Sequence, residues 1–295
     1  MKRKAARSGV LVSGPGEATL SAPPPELRFR RRVRLRHSVR EVWRSRELIR
    51  TLAERQLRAR YKQAVLGFGW AILTPVVLMV VFTIFFQPVA DVDTGGVPYP
   101  LFAYLGILPW TFFSSSVSEG GQSLVQNMPI LNKVYCPREV FPMSSIAVAG
   151  VDTSIALLVL VGLFLLESFA PTPTAVWVPV ILGVQLTFTL GMTLVVSALL
   201  VYLRDLRHML PIALQLGLFA TPVAYGMEAI PQQYRLAYSA LNPLAPVIDG
   251  YRRTVLMDQP PHWEWLLAGA VTSTVLLIVG YVSFKRLETG FADVA

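Results

Sequence analysis

Residues 58–75 read RARYKQAVLGFGWAILTP and divide the chain in two. Before this stretch the residues are mostly arginine and polar; after it they are mostly hydrocarbon. The change takes place around Tyr61, Lys62 and Gln63. Basic residues, a tyrosine, small residues and then a tryptophan meet the demands of a membrane–water boundary, where charged heads stay wet and aromatic rings sit at headgroup level. The stretch places the preceding chain at the cytoplasmic face and most of the later chain in the bilayer.

Composition supports the division. Of 295 residues 53% are hydrophobic and 15% charged, with mean hydropathy +0.50, against about 25% charged in a soluble domain. Eighteen of the 27 Lys and Arg lie in residues 1–65, so the net charge of +9 belongs to one end. Such asymmetry points to nucleic acid or a membrane face, and the long apolar runs decide for membrane lipid and against nucleic acid. One cysteine, Cys136, allows no disulfide within the chain, and three scattered histidines with no HExxH or Cys/His cluster argue against a metal site. The apolar run Val10–Val12 is too short for a signal peptide. Residues 1–37, rich in Gly, Ser, Pro and Arg, read as a disordered basic extension.

Outward from the boundary, residues 38–62 read as an amphipathic helix on the membrane surface. Val42, Ile49, Leu52, Ala53, Leu57 and Tyr61 recur at helical spacing, with Arg44, Arg46, Arg50, Arg55 and Arg58 mostly opposite. Ser38 with Glu41 forms a capping box. The fold expected is all-α with six transmembrane spans, at about 64–86, 99–124, 141–166, 177–202, 209–225 and 263–284. The connections 1–65, 126–140 and 203–208 and the tail hold nearly all the Lys and Arg, which places both termini in the cytoplasm. Residues 227–257 are too apolar for a plain outer loop. Two short helices broken at Asn242-Pro243, re-entering the outer leaflet, fit the pattern.

No lysine follows a G-x-x-x-x-G pattern, so there is no P-loop; the chain carries no nucleotide cofactor site, and energy would come from elsewhere. Glu119 and Asp152 lie in spans. A carboxylate at a span centre costs about 2.5–3.5 kcal/mol, so each reads either as a polar contact between helices or pathway lining, or as a pairing carboxylate near the cytoplasmic leaflet. Trp110, Phe112 and Phe113 are candidate pathway aromatics, since sugar C–H faces stack on rings. In the loop 126–140, Pro129 and Pro137 bracket seven residues, and the mixture of apolar and basic side chains suits either a docking knob or a plain connection.

Several motifs then coincide in one order: RYKQAVLGFGWAILTP (60–75), LPWTFFS (108–114), LVQNMPILNKVYCPREVFP (124–142), LRDLRH (203–208), TPVAY (221–225), NPLAP (242–246) and YRR (251–253). Over about residues 45–285 the chain resembles the membrane (permease) subunit of polysaccharide-exporting ABC transporters, those for O-antigen, capsule and teichoic acid. Cys136 stands where members often have phenylalanine, and residues 1–40 lie outside the pattern. The resemblance implies a homodimer in the bacterial inner membrane, two copies of a cytoplasmic ABC ATPase carrying ATP and Mg, and a lipid-linked polysaccharide as substrate. It implies that residues 41–62 form an interface helix, and that Arg58, Arg60, Tyr61, Lys133, Tyr135, Arg138 and Glu139 couple to the ATPase. It also places the re-entrant region, with Asn242, Pro243, Tyr251 and Arg252, at 227–257. Two rivals remain open. One is an ABC exporter permease for drugs or small amphiphiles. The other is a membrane-embedded glycosyl or acyl transferase, which would need an acid, base or metal constellation that the scattered carboxylates do not form.

Overall fold

Residues 46–61 form the first long helix, α1 (Arg46–Tyr61), of a computed structural model that describes residues 42–62, 64–86, 94–131 and 136–288. The expected extension 1–37, the cap at Ser38 and Glu41, Lys133 and Tyr135 lie outside the described residues. The amphipathic helix is not continuous from 38 to 62: a short helical turn at 42–44 is interrupted at Ser45 before α1 begins. Helix α1 carries Glu47 in its first turn and Arg58 and Arg60 in its last, signs that suit the helix dipole.

The first apolar segment is shorter than its sequence suggests. Residues 64–68 turn rather than continue into helix, with Gly67 in the left-handed region at φ +48°, which glycine adopts without steric cost. Helix α2 (Gly69–Phe85) is left with 17 residues, about 26 Å at ~1.5 Å each, below the ~30 Å of a hydrocarbon core. Helix α3 (Tyr99–Gln126) is buried along most of its length and lies at the centre. Phe102, Tyr104 and Ile107 on α3 join Ile181, Val247 and Ile248 in the main core. After the short α4 (Met128–Leu131), α5 (Val140–Leu166) packs on one side of α3; α6 (Val178–Tyr202), entered through a 3-10 turn at Pro173–Trp177, packs on another.

Helix α7 (Leu206–Ala220) starts earlier and stops earlier than the expected span 209–225. Thr221 precedes Pro222, and the proline ring pushes it to φ −93°, ψ 142°, as pre-proline sterics require. Two 3-10 turns, Met227–Ala229 and Gln232–Tyr234, lead to α8 (Arg235–Leu241). A break at Asn242 and Pro243 separates it from α9 (Leu244–Leu256), which is almost wholly buried. Helix α10 (Trp263–Leu287) closes the described chain against α6. Their backbones nearly touch: a Cβ at Gly191 would sit 2.8 Å from Leu277 N, and one at Gly280 2.8 Å from Gly191 O, the small-residue contact of membrane helices.

Every described element is helical. Four helical stretches, α3, α5, α6 with its 3-10 turn, and α10, are long and apolar enough to cross a membrane; α2 and α7 are shorter apolar helices. Leu158, Leu165 and Leu166 on α5 and Leu267, Val271 and Val275 on α10 are exposed, as lipid-facing positions would be. The hydroxyls of Thr83, Thr153, Ser154, Thr187, Thr193, Ser273 and Thr274 each donate to the carbonyl four residues back. That local bond meets a donor that hydrocarbon cannot meet.

Candidate functional site

Helix α1 presents a stripe of Ile49, Leu52, Ala53, Gln56, Leu57, Arg60 and Tyr61 towards the bundle. Two polar residues therefore fall on its apolar side. Gln56 Nε2 donates to Ser144 Oγ at 3.1 Å, and Ser145 Oγ donates to Gln56 Oε1 at 3.4 Å. One turn on, Arg60 forks. Its Nη1 donates to Asp152 Oδ2 at 2.6 Å on α5, and its Nη2 to Glu119 Oε2 on α3. Tyr61 OH donates to the second oxygen, Asp152 Oδ1, at 2.8 Å. One guanidinium thus joins three helices. Asp152 lies twelve residues into α5, about 18 Å along it. Helix α1 therefore runs up the side of α5 rather than lying clear of the bundle.

Burial acts to lower the affinity of Arg60 for its proton, but Glu119 and Asp152 outweigh it and hold the guanidinium above its ordinary value. Burial and the bond to Asp152 push the Tyr61 hydroxyl up to about 12. Arg58, two residues away, points outward and, among the described residues, pairs with Glu54 on its own helix, at 3.3 Å. Glu119 and Asp152 both bond Arg60, which is at once a contact between helices and a pairing of charge.

A second cluster ties the start of α5 to the end of α10. Lys285 Nζ lies 2.5 Å from Glu139 Oε1 and 2.9 Å from Glu288 Oε2. Tyr281 OH donates to Glu139 Oε1 at 3.1 Å. Arg138 donates to the Glu288 carbonyl, and Tyr202 OH to the Leu287 carbonyl at 2.7 Å. The end of the last described helix is thereby fastened to the end of the loop 126–140. Glu139 is 1% exposed, so this is a buried ion pair, favourable only while both partners stay in place.

The third cluster lies around the break after α7. Non-helical backbone at membrane depth must have its carbonyls met from within the protein. Arg252 on α9, 3% exposed, donates to the carbonyls of Phe102 at 3.0 Å, Pro222 at 2.8 Å, Tyr225 at 2.8 Å, and Val223. Its guanidinium also lies 3.6 Å from the centre of the Phe102 ring. Gly106 makes room, since a Cβ there would collide with Arg252 Nη2. Tyr99 OH donates to Ala224 O, Tyr225 OH to Phe219 O and Tyr238 OH to Ala220 O. Asn242 Nδ2 donates to Thr221 Oγ1 at 2.9 Å, and Pro243 packs by Gly269 of α10. Tyr251 OH donates to Gln185 Oε1 at 2.8 Å, and Gln185 Nε2 to Pro109 O at 3.2 Å.

The aromatic candidates separate. Trp110 and Phe113 are packed inside one copy of the chain: Trp110 covers Gly217, and Phe113 stacks on Phe188 at 5.2 Å. Phe112 borders a cavity. Sequence reasoning missed Gln56, Gln185, Tyr281, Lys285 and Glu288. For Gln56 and Gln185 a signal was present: each is an amide on an apolar helix face. No His, Cys, Asp or Glu cluster suited to a metal occurs among the described residues.

Comparison with known proteins adds the context for these three clusters. The family model described as ABC-2 type transporter matches residues 47–256. The chain is 34% identical over 256 residues to the O-antigen export system permease protein RfbA of Myxococcus xanthus, covering 86% of this chain and 98% of that one. It is 28% identical to the protein of the same name from Klebsiella pneumoniae, over 84% of this chain and 95% of that one. It is 24% identical to the polysialic acid transport protein KpsM of Escherichia coli, over 81% and 93% respectively.

Proposed function

The chain belongs to the ABC-2 type transporter family of membrane proteins, and from that premise we propose that it is the channel-forming subunit of an ATP-driven exporter of lipid-linked polysaccharide of the O-antigen type. The observation that carries the reading is similarity to O-antigen export permeases along almost the whole of their length. In this reading the chain is a multi-pass inner-membrane protein of six spans, the two short helices α2 and α7 included, with both termini in the cytoplasm. Two copies form the route, and two copies of a cytoplasmic ABC ATPase supply ATP, Mg and force.

The clusters then have mechanical roles. A push on α1 would reach α3 and α5 together, because Arg60 holds both. A push on the loop before α5 would reach α10 through Glu139 and Lys285. Arg58, exposed on the outer side of α1, is left to face the ATPase. Movement of the spans would open a path between the two copies.

Deleting the gene from a strain that displays the polysaccharide should remove the polysaccharide from the cell surface and leave it attached to its lipid inside. Purification of the tagged chain should bring down an ATPase. Unchanged surface polysaccharide together with no associated ATPase would overturn the proposal. Loss of resistance to small amphiphiles with normal surface polysaccharide would favour a small-molecule exporter instead.

A further inference from the structure

A groove of about 490 Å³ opens on the side of the bundle between α5 and α6. Its floor is Leu108 and Pro109 of α3 and Tyr251 of α9; its walls are Leu157 of α5 and Leu182 and Leu186 of α6. Those three wall leucines are about two-fifths exposed, so the groove meets the outer surface of the bundle. In a protein that spans a membrane, that surface faces hydrocarbon.

The chemistry of the lining narrows the occupant. Among the described residues, no Lys, Arg, Asp or Glu lines the groove. Its polar side chains are already bonded within the chain: Thr153 to Ala149 O, Ser154 to Gly150 O, Tyr251 to Gln185, and Gln185 to Pro109 O. The groove therefore offers no charge for a phosphate, and its hydroxyls have already committed their protons within the chain. What it offers is apolar surface, and an empty apolar hollow forfeits the dispersion contacts that a filled one makes. Gly150 deepens it, because a Cβ there meets nothing nearer than Phe112 at 4.0 Å.

We propose that this groove holds one acyl chain of a bilayer phospholipid, a resident lipid that covers the Tyr251–Gln185 bond and supports α9 from the membrane side. The groove is continuous with the bilayer-facing surface, and the absence of a cation along it disfavours an anchored pyrophosphate. The proposal needs the chain to span a membrane but does not depend on the identity of the cargo.

The test uses the full chain in nanodiscs of phosphatidylethanolamine and phosphatidylglycerol, with a trace of phosphatidylethanolamine bearing a diazirine halfway along one acyl chain. Illumination and peptide mapping should label Leu157, Leu182 and Leu186 about tenfold above Val271 and Val279 of α10, the excess that about 1.4 kcal/mol of preference gives. Gly150→Leu, which fills the groove, should reduce that labelling to the α10 level and leave α10 itself unchanged. Ser154→Leu fills the same space from a more exposed position and gives the same reading if the first variant does not elute as a single species. Equal labelling of groove and α10, or labelling that survives both variants, would overturn the proposal. So would stronger labelling by a diazirine isoprenyl phosphate in competition, or disulfide-linked dimers of Leu157→Cys.

Discussion

Arg58 and Arg60 are two residues apart on one helix and meet opposite surroundings. Arg58 belongs to an exposed i, i+4 pair, worth about 0.3–0.5 kcal/mol, so Arg58→Ala should leave the melting temperature in detergent almost unchanged. Arg60→Ala strands two carboxylates and should destabilise by about 1.5–3 kcal/mol, the range for hydrogen bonds to charged groups. Exchanging the charges, Arg60→Asp with Asp152→Arg, should restore part of that loss; no restoration would mean that geometry rather than charge sets the contact. The pair Glu139 and Lys285 gives a sharper contrast. Lys285→Met leaves a buried carboxylate without its counter-charge and should cost about 3–5 kcal/mol, while the double variant Glu139→Leu, Lys285→Leu should recover most of it. Thermal unfolding of these variants beside the parent chain checks both statements. Single residues were partly legible in the sequence. The carboxylates at 119 and 152 announce themselves by their cost in a span. Their partner was in plain view as an arginine on the apolar stripe of α1, but nothing local says that it reaches two other helices.

At the level of elements, turns decided what periodicity did not. The break at Asn242-Pro243 was readable from the dipeptide, whereas the early end of α7 follows from Thr221-Pro222, a signal that the apolar run around it masked. The short α2 follows from the left-handed turn at Gly67, and a string of apolar residues on either side gives no warning of it. Glycines inside helices are equally divided in meaning. Gly191 lies 2.8 Å from the backbone of α10 once a Cβ is added, while Gly183, on the same helix α6, has open space. Gly191→Ala should force α6 and α10 apart and destabilise by about 1–3 kcal/mol. Gly183→Ala should be neutral or stabilising by up to about 1 kcal/mol, through helix propensity alone. Melting curves of the two variants, run side by side, test whether the close approach of α6 and α10 at Gly191 carries stability.

For the molecule as a whole, the six-span topology proposed above makes a directional statement. With Cys136 replaced, single cysteines at Thr94 and Gln259 should react with a membrane-impermeant thiol reagent added outside spheroplasts. One at Asp205 should react only after lysis; labelling of Asp205→Cys and Thr94→Cys from the same side would refute the topology. The all-helical class was legible from composition and run length. The arrangement of the helices was not, because the contacts that set it join residues far apart, Arg60 to Asp152 across 92 positions and Arg252 to Phe102 across 150. Separations of that size also impose an order on synthesis. Arg60 leaves the ribosome 59 residues before Glu119 and 92 before Asp152. Each acidic span therefore reaches the membrane when its counter-charge is already waiting at the boundary. Inserting such a carboxylate alone costs about 2.5–3.5 kcal/mol at a helix centre, and an arginine made first lets the growing chain admit the two spans without leaving either charge unmatched.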